Sequence, residues 1–359
     1  MPDPTDGKNG AEVKQAWQVI ILFGLISLFG DIIYEGARSV NGPFLKMLST
    51  PVFIVGLIAG AGEFLGYAVR LISGYFSDKT KAYWHFTILG YALLVSVPLL
   101  AFSRSWGYAA IFILGERIGK ALRGPARDTI VSYASQRIGT GLGFGINEAL
   151  DQIGAMAGPL IFTVLLYLKS PIGQDTITQY RQGYSLLWIP FVLLLACIFW
   201  ARLAVPHPER ISRQSKHYFM EDKLPPIFWW YTLFTGVTTF GFVSFIIAGF
   251  HLKLHHVVAD YQIPLLYTLA MGVDALAALG IGKLYDVLKT KKKDHRAGLL
   301  TLAILPVLSA CIPWGLFSTV PWKVVTGVVL WGIVMGAHET VMKSAIADLT
   351  PLTKRGTGY

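Results

Sequence analysis

Ten stretches dominated by apolar residues, separated by short polar or glycine- and proline-containing breaks, run along the chain at about 17–37, 53–77, 84–103, 106–127, 141–168, 184–203, 226–250, 261–285, 297–318 and 323–346. A bilayer core ~30 Å thick is crossed by about 20 residues of helix. The pattern therefore predicts ten membrane-spanning helices and an all-α membrane fold. The longest and most polar break, Val205 to Pro225, carries Arg210, Arg213, Lys216, Glu221, Asp222 and Lys223. It divides the chain into an N-terminal six-helix bundle (1–204), a cytoplasmic linker (205–225) and a C-terminal bundle of four helices (226–359). Met1 to Gln15 is polar and shows no signal-peptide pattern, so the first span is expected to act as its own insertion signal.

Composition agrees with this picture. Only 14% of the 359 residues are charged and 53% are hydrophobic, whereas a soluble domain carries roughly 25% charged residues. Most of the surface must face something other than water. The two cysteines, Cys197 and Cys311, sit in apolar runs and behave as small hydrophobes.

Charge then sets the orientation. With the N-terminus in the cytoplasm, 21 of the 31 Lys and Arg fall on the inner side or towards the inner ends of spans and 7 on the outer side, while Arg70, Arg117 and Lys283 are counted to neither. The positive-inside rule selects this arrangement over its inverse, and the expected location is the cytoplasmic membrane. The net charge of +10 needs no nucleic-acid partner, because the basic residues are scattered among inner loops.

An internal repeat follows. Gly74-Tyr75-Phe76-Ser77-Asp78-Lys79 ends the second span, and Gly282-Lys283-Leu284-Tyr285-Asp286-Val287 ends the eighth. Gly139-Thr140-Gly141 precedes the fifth span, and Gly356-Thr357-Gly358 stands near the last residue. Two matches in the same order argue for duplicated six-helix bundles.

These residues resemble the major facilitator superfamily. Its loop signature after the second helix reads Gly, three residues, Asp, a basic residue, one residue, Gly. Gly74, Asp78 and Lys79 match, while Lys81 stands in the glycine place and Ala82 in a basic one. The antiporter signature of the fifth helix is matched by Gly145, Gly154, Gly158 and Pro159, with Phe162 and Thr163 replacing its final glycines. The fourth-helix signature is met at Arg117 only, with Ala121 in the glycine place. The resemblance implies two pseudo-symmetric bundles, a gating role for the Gly74, Asp78, Lys79 and Gly282, Asp286 loops, and a leak seal at the fifth helix. It also implies twelve helices. The sequence stops at Tyr359 where an eleventh would begin, so the second bundle is expected to be incomplete and the chain truncated.

Chemistry should reside in polar residues within spans, since an ionisable residue in lipid costs about 2.5–3.5 kcal/mol on insertion scales. At ~1.5 Å per residue, Asp31 and Glu63 lie at nearly one depth, about 20 Å from the inner ends of their helices. Neither has a basic neighbour in sequence, and desolvation favours the neutral acid; both are proton-coupling candidates. Tyr34, Glu35 and Arg38 share a helix face with Asp31, with an outer-interface ion pair as the plain reading for the last two. Arg70, Glu116, Arg117, Lys120, Arg123, Glu148 and Asp151 occupy a layer nearer the cytoplasm. They read as a buried network between the second, fourth and fifth spans, either locking the bundle or exchanging partners as it rocks.

The second half offers Asp274, His338 and Glu339. His338-Glu339-Thr340-Val341-Met342 opens like a zinc-peptidase helix but has Met342 where the second histidine must stand, so no metal site is expected there. His251, His255 and His256 are read as solvated histidines of an outer loop. No nucleophile, metal set or phosphate loop can be assembled, so no enzyme activity and no cofactor are expected. The expected function is secondary transport of a small molecule, coupled to protons, with efflux by antiport favoured and a monomer as the acting species. Coupled uptake of an organic anion, and a transport-inactive receptor or remnant, stay open as alternatives.

Overall fold

A computed structural model describes residues 4–138, 140–169, 176–208, 226–240, 242–292 and 305–349. Every regular element among them is helical. The first and second spans are α1 (Pro4–Met47) and α2 (Val52–Thr80). The third is built from α3 (Tyr83–Ala92) and α4 (Ser96–Leu99), joined and followed by 3₁₀ turns at Leu93–Val95 and Leu100–Phe102. The fourth and fifth are α5 (Trp106–Ile138) and α6 (Thr140–Lys169), and the sixth is α7 (Thr176–Leu186) with α8 (Trp188–Ala204). The seventh comprises α9 (Pro226–Phe240) and α10 (Phe245–Leu254). The rest are α11 (Gln262–Lys292), α12 (Leu305–Leu316) and α13 (Pro321–Leu349).

Six helical stretches among the described residues are long and apolar enough to cross a membrane: Val13–Met47, Val52–Thr80, Tyr83–Phe102, Gly145–Lys169, Thr176–Ala204 and Gln262–Leu284. α5 has the length but carries too many charges, among them Glu116, Arg117, Lys120 and Arg123, two of which are buried. Large apolar side chains stand exposed along α2 and α8, Phe64 at 71% and Leu203 at 79%. Such surfaces are stable against hydrocarbon and not against water.

The chain clusters into two units. One comprises Met1–Arg38 with Met47–His217, the other Ser39–Lys46 with Tyr218–Tyr359. The last two turns of α1 thus group with the second unit, apart from the bundle in which the sequence pattern places them.

In the first unit α5 packs against α2 and α3. Glycine makes the α3–α5 crossing close: a Cβ on Gly90 would stand 2.7 Å from the backbone nitrogen of Arg123, and one on Gly119 2.7 Å from the Gly90 carbonyl. α1 and α6 approach in the same way, with Gly154 against the Leu28 carbonyl and Gly158 against Ile32 and Gly36. α2 ends on Lys81, whose φ of 56° is left-handed. This is the position the family signature fills with glycine, and the conformation supplies the reason, since only glycine adopts it without steric cost.

In the second unit α11 and α12 pack against α13. Gly332 and Gly336 admit the α11 backbone at Ala270 and Asp274, and Gly315 meets Gly327. The seventh span is broken: Phe242, Val243 and Ser244 are not helical. The indole N–H of Trp331 donates to the Val243 carbonyl at 2.7 Å, and Phe242 stacks on the same indole with centroids 5.4 Å apart. A single hydrophobic run hides this break, because apolar periodicity does not report which backbone carbonyls find partners.

Candidate functional site: a charged cluster within the first unit

The polar face of α1 predicted from i, i+3, i+4 spacing forms and becomes the centre of the site. Tyr34 is 2% exposed. Three cations surround its ring: the Lys120 ammonium lies 3.7 Å from the centroid, the Arg117 guanidinium 5.4 Å and the Arg38 guanidinium 5.7 Å. An electron-rich ring face attracts each of them. Arg117 Nη1 also donates to the Tyr34 hydroxyl at 2.7 Å.

Arg117 is the hub. Its Nη2 meets Glu63 Oε1 of α2 at 3.2 Å, and its Nε lies 3.8 Å from Glu116 Oε2. Gly62, preceding Glu63, makes room for the arginine, since a Cβ there would sit 3.3 Å from its Cγ. The expectation that Glu63 has no neighbouring cation is therefore corrected. Helical sequence neighbours say nothing about a facing helix, and α5 delivers the charge from 54 positions away. Glu35 and Arg38 pair at 3.7 Å, both side chains 9% exposed. They form the ion pair that their spacing suggests, and it is buried.

Asp31 is corrected likewise, since it lies close enough to Lys120 to feel its charge. Its nearest acid is Asp151 of α6, within side-chain hydrogen-bonding reach. The contact follows from the glycine seam: a Cβ at Gly154, one turn after Asp151, would meet Asp31 Cβ at 3.1 Å. Asp151 in turn lies in the field of Arg127, which donates to Ser27 at 3.3 Å, and Ser27 donates to Asn147 at 3.3 Å. Charged and polar side chains thus follow one another from Glu63 through Arg117, Tyr34, Lys120, Asp31 and Asp151 to Arg127.

The predicted inner layer separates on folding. Arg123 leaves the stripe and places its guanidinium 4.6 Å from the Tyr91 centroid on α3. Arg70 runs alongside Gly124, its Nε 3.7 Å from where a Cβ would be. Glu148 is exposed. Of the fifth-span glycines, Gly154 and Gly158 pack against α1 and Gly145 meets nothing within 4 Å of its Cβ position. At the end of α2, Gly74 rests on Pro125, and Asp78 accepts a 3.5 Å hydrogen bond from Tyr83. Lys79 lies over the Tyr75 ring.

In the second unit Asp274 is 2% exposed beneath α13, and His338 faces the Phe242 ring at 5.8 Å. Gly282 lies within α11. The side chains of Asp286 and Glu339 are outside those described. His251 is part of α10, not of a loop, with His255 at a ring distance of 4.5 Å. Sequence reasoning missed Ser27, Asn147, Tyr91 and Trp331. Only long-range contacts give these residues their roles, and no local spacing announces them.

Comparison with known proteins fits this architecture. A relative in Mycobacterium tuberculosis, described as an uncharacterized protein, is 37% identical over 352 residues, covering 96% of this chain and 82% of that one. An uncharacterized transporter of the same superfamily from Methanocaldococcus jannaschii is 34% identical over 173 residues, 46% of this chain and 42% of that one. Among solved structures, a bacterial homolog of the human lysosomal transporter Spinster superposes with a TM-score of 0.68 at 18% identity, over 95% of this chain and 76% of that one. A nucleoside transporter superposes with a TM-score of 0.64 at 14% identity, over 95% and 85%. These two show the fold. The family model of the Major Facilitator Superfamily matches residues 21–359, and with apolar helices enclosing a charged interior this multi-pass membrane protein belongs to that superfamily of transporters.

Proposed function

We propose that the chain is a proton-coupled secondary transporter of a small molecule, working as an efflux antiporter, with Asp31 and Asp151 as the coupling pair. The observation that carries the reading is the meeting of these two carboxyl groups across the α1–α6 seam. An ionised carboxylate has only acceptors, so two of them in hydrogen-bonding reach need a proton between them. A site inside a span that holds one proton beside cations is what coupling to a proton gradient requires. Export by antiport draws support from the α6 glycines: Gly154 and Gly158 bring two helix backbones together, the close packing that a leak seal at this helix would use. The excess of Lys and Arg in alternate loops supports a cytoplasmic N-terminus in the cell membrane. Cysteines introduced at 291–296 should then label only from inside.

The test of coupling needs no known substrate at first. Infrared difference spectra of the reconstituted protein between acid and alkaline pD should show a protonated-carboxyl band that Asp31→Asn removes. In proteoliposomes carrying a trapped pH dye, compounds that drive proton flux through the wild type should still exchange through Asp31→Asn while moving no protons. An unchanged carboxyl band, or full proton flux in the variant, would reject the assignment.

A further inference from the structure

We infer that Lys120, with Arg38 and Arg117 beside it around Tyr34, is the docking point for an anionic oxygen group, carboxylate or phosphate, on the molecule transported. This rests on the transport reading of the same cluster and adds a substrate class to it.

The argument starts from how each charge in the cluster is satisfied. Glu35 pairs with Arg38, Glu63 and Glu116 with Arg117, and Asp31 meets Asp151. Lys120 differs. Its ammonium carries three donors, yet among the described residues it meets only the face of Tyr34, at 3.7 Å, and no carboxylate within ion-pair distance. Lys253, a buried lysine of α10, shows the usual solution: both oxygens of Asp260 accept from its Nζ, at 2.6 and 2.7 Å. A lysine inside a span that keeps its donors unspent is expensive. A ring face holds the ammonium in place without using its hydrogen-bonding directions, which leaves them for a ligand.

The edge of the cluster on α2 is open. Glu63, which holds Arg117, is 41% exposed, so the cluster is not sealed there. An anion arriving there meets Arg117 already held by a carboxylate, so the geometry around the guanidinium is already suited to acidic oxygens. The anionic group extends this arrangement onto Lys120.

Binding is measurable without a gradient. The full chain, purified in neutral detergent, is melted in the presence of sodium phosphate, of sodium succinate, and of lysophosphatidic acid added to the micelle. Sodium chloride at equal ionic strength and lysophosphatidylcholine serve as the comparisons. At least one anion should give a saturable rise in melting temperature; the free anions and the lipid separate a soluble from a membrane source. Lys120→Gln should weaken that response at least about tenfold, as expected for a charge-assisted hydrogen bond, while Lys120→Arg keeps it and Lys323→Gln changes nothing. In the wild type the bound anion should also protect Lys120 from an amine-acylating reagent, read by peptide mass, a readout that requires no variant to fold. No saturable response to any of the three anions, or the same response in Lys120→Gln, or no protection, overturns the inference. Loss of anion binding with an intact Asp31 carboxyl band rejects this site alone. The reverse result rejects the coupling reading alone.

Discussion

Arg117→Met should be among the most damaging single substitutions in the first unit, and the reason is asymmetry of burial between its partners. The guanidinium touches Glu63, which is 41% exposed, and Glu116, whose side chain is 7% exposed. Removing the arginine leaves Glu116 buried without its cation, and breaking a buried pair from one side costs about 3–5 kcal/mol. The Tyr34 hydroxyl also loses its donor. For a unit of this size that corresponds to a fall of roughly 10 °C in melting temperature. Glu63→Gln breaks the other half of the hub, but Glu63 is half in contact with its surroundings, so the loss should be about 1 kcal/mol or less. Adding Glu116→Gln to Arg117→Met removes the orphaned charge and should restore most of the stability. The assay is a thermal melt of the four proteins in one detergent, analysed as a double-mutant cycle. Equal damage from Glu63→Gln and Arg117→Met, or no recovery in the double variant, would refute the reasoning.

Three further outcomes are expected. Lys81→Gly relieves a left-handed residue at the end of α2 and should stabilise the protein by about 1 kcal/mol, seen as a higher melting temperature with unchanged helix content; a lower one would refute the strain. Gly158→Ala, whose Cβ would stand 2.4 Å from the Ile32 carbonyl, should cost about 1–3 kcal/mol, whereas Gly145→Ala, with nothing in reach, should gain a few tenths to ~1 kcal/mol from helix propensity. Trp331→Phe keeps the ring and removes the N–H, so the Val243 carbonyl loses its donor at a cost of about 1–3 kcal/mol, measurable as faster amide exchange in α10 and a lower melting temperature.

Most of the architecture is legible in the sequence because lipid forces it: long apolar runs must be helices, since no other open structure satisfies its backbone in hydrocarbon. The polar face of α1 is legible for the same reason that any helix face is, from spacing alone. What stays hidden is who meets whom. Glu63 looks solitary until α5 brings Arg117 to it, and Asp31 looks like half of a pair with Glu63 when its carboxyl partner is Asp151. The three glycines of the antiporter signature look equivalent, yet Gly145 packs against nothing. Lys81 is the reverse case. As a sequence feature it is a mismatch to the family pattern, and the structure turns it into a statement about backbone conformation.

The break between α9 and α10 bears on the order in which the protein can be assembled. The two helices span 15 and 10 residues, about 22 and 15 Å, so neither alone reaches across a bilayer core. The donor that satisfies the Val243 carbonyl belongs to a residue 88 positions later. While the ribosome is still making the chain between them, that carbonyl has no indole to accept from, and the state of lowest cost for 226–254 in lipid is one unbroken helix. The break is then a late event, imposed when α13 arrives and offers Trp331. A nascent chain arrested before residue 331 should cross the membrane with a continuous seventh helix, and release past that point should open it.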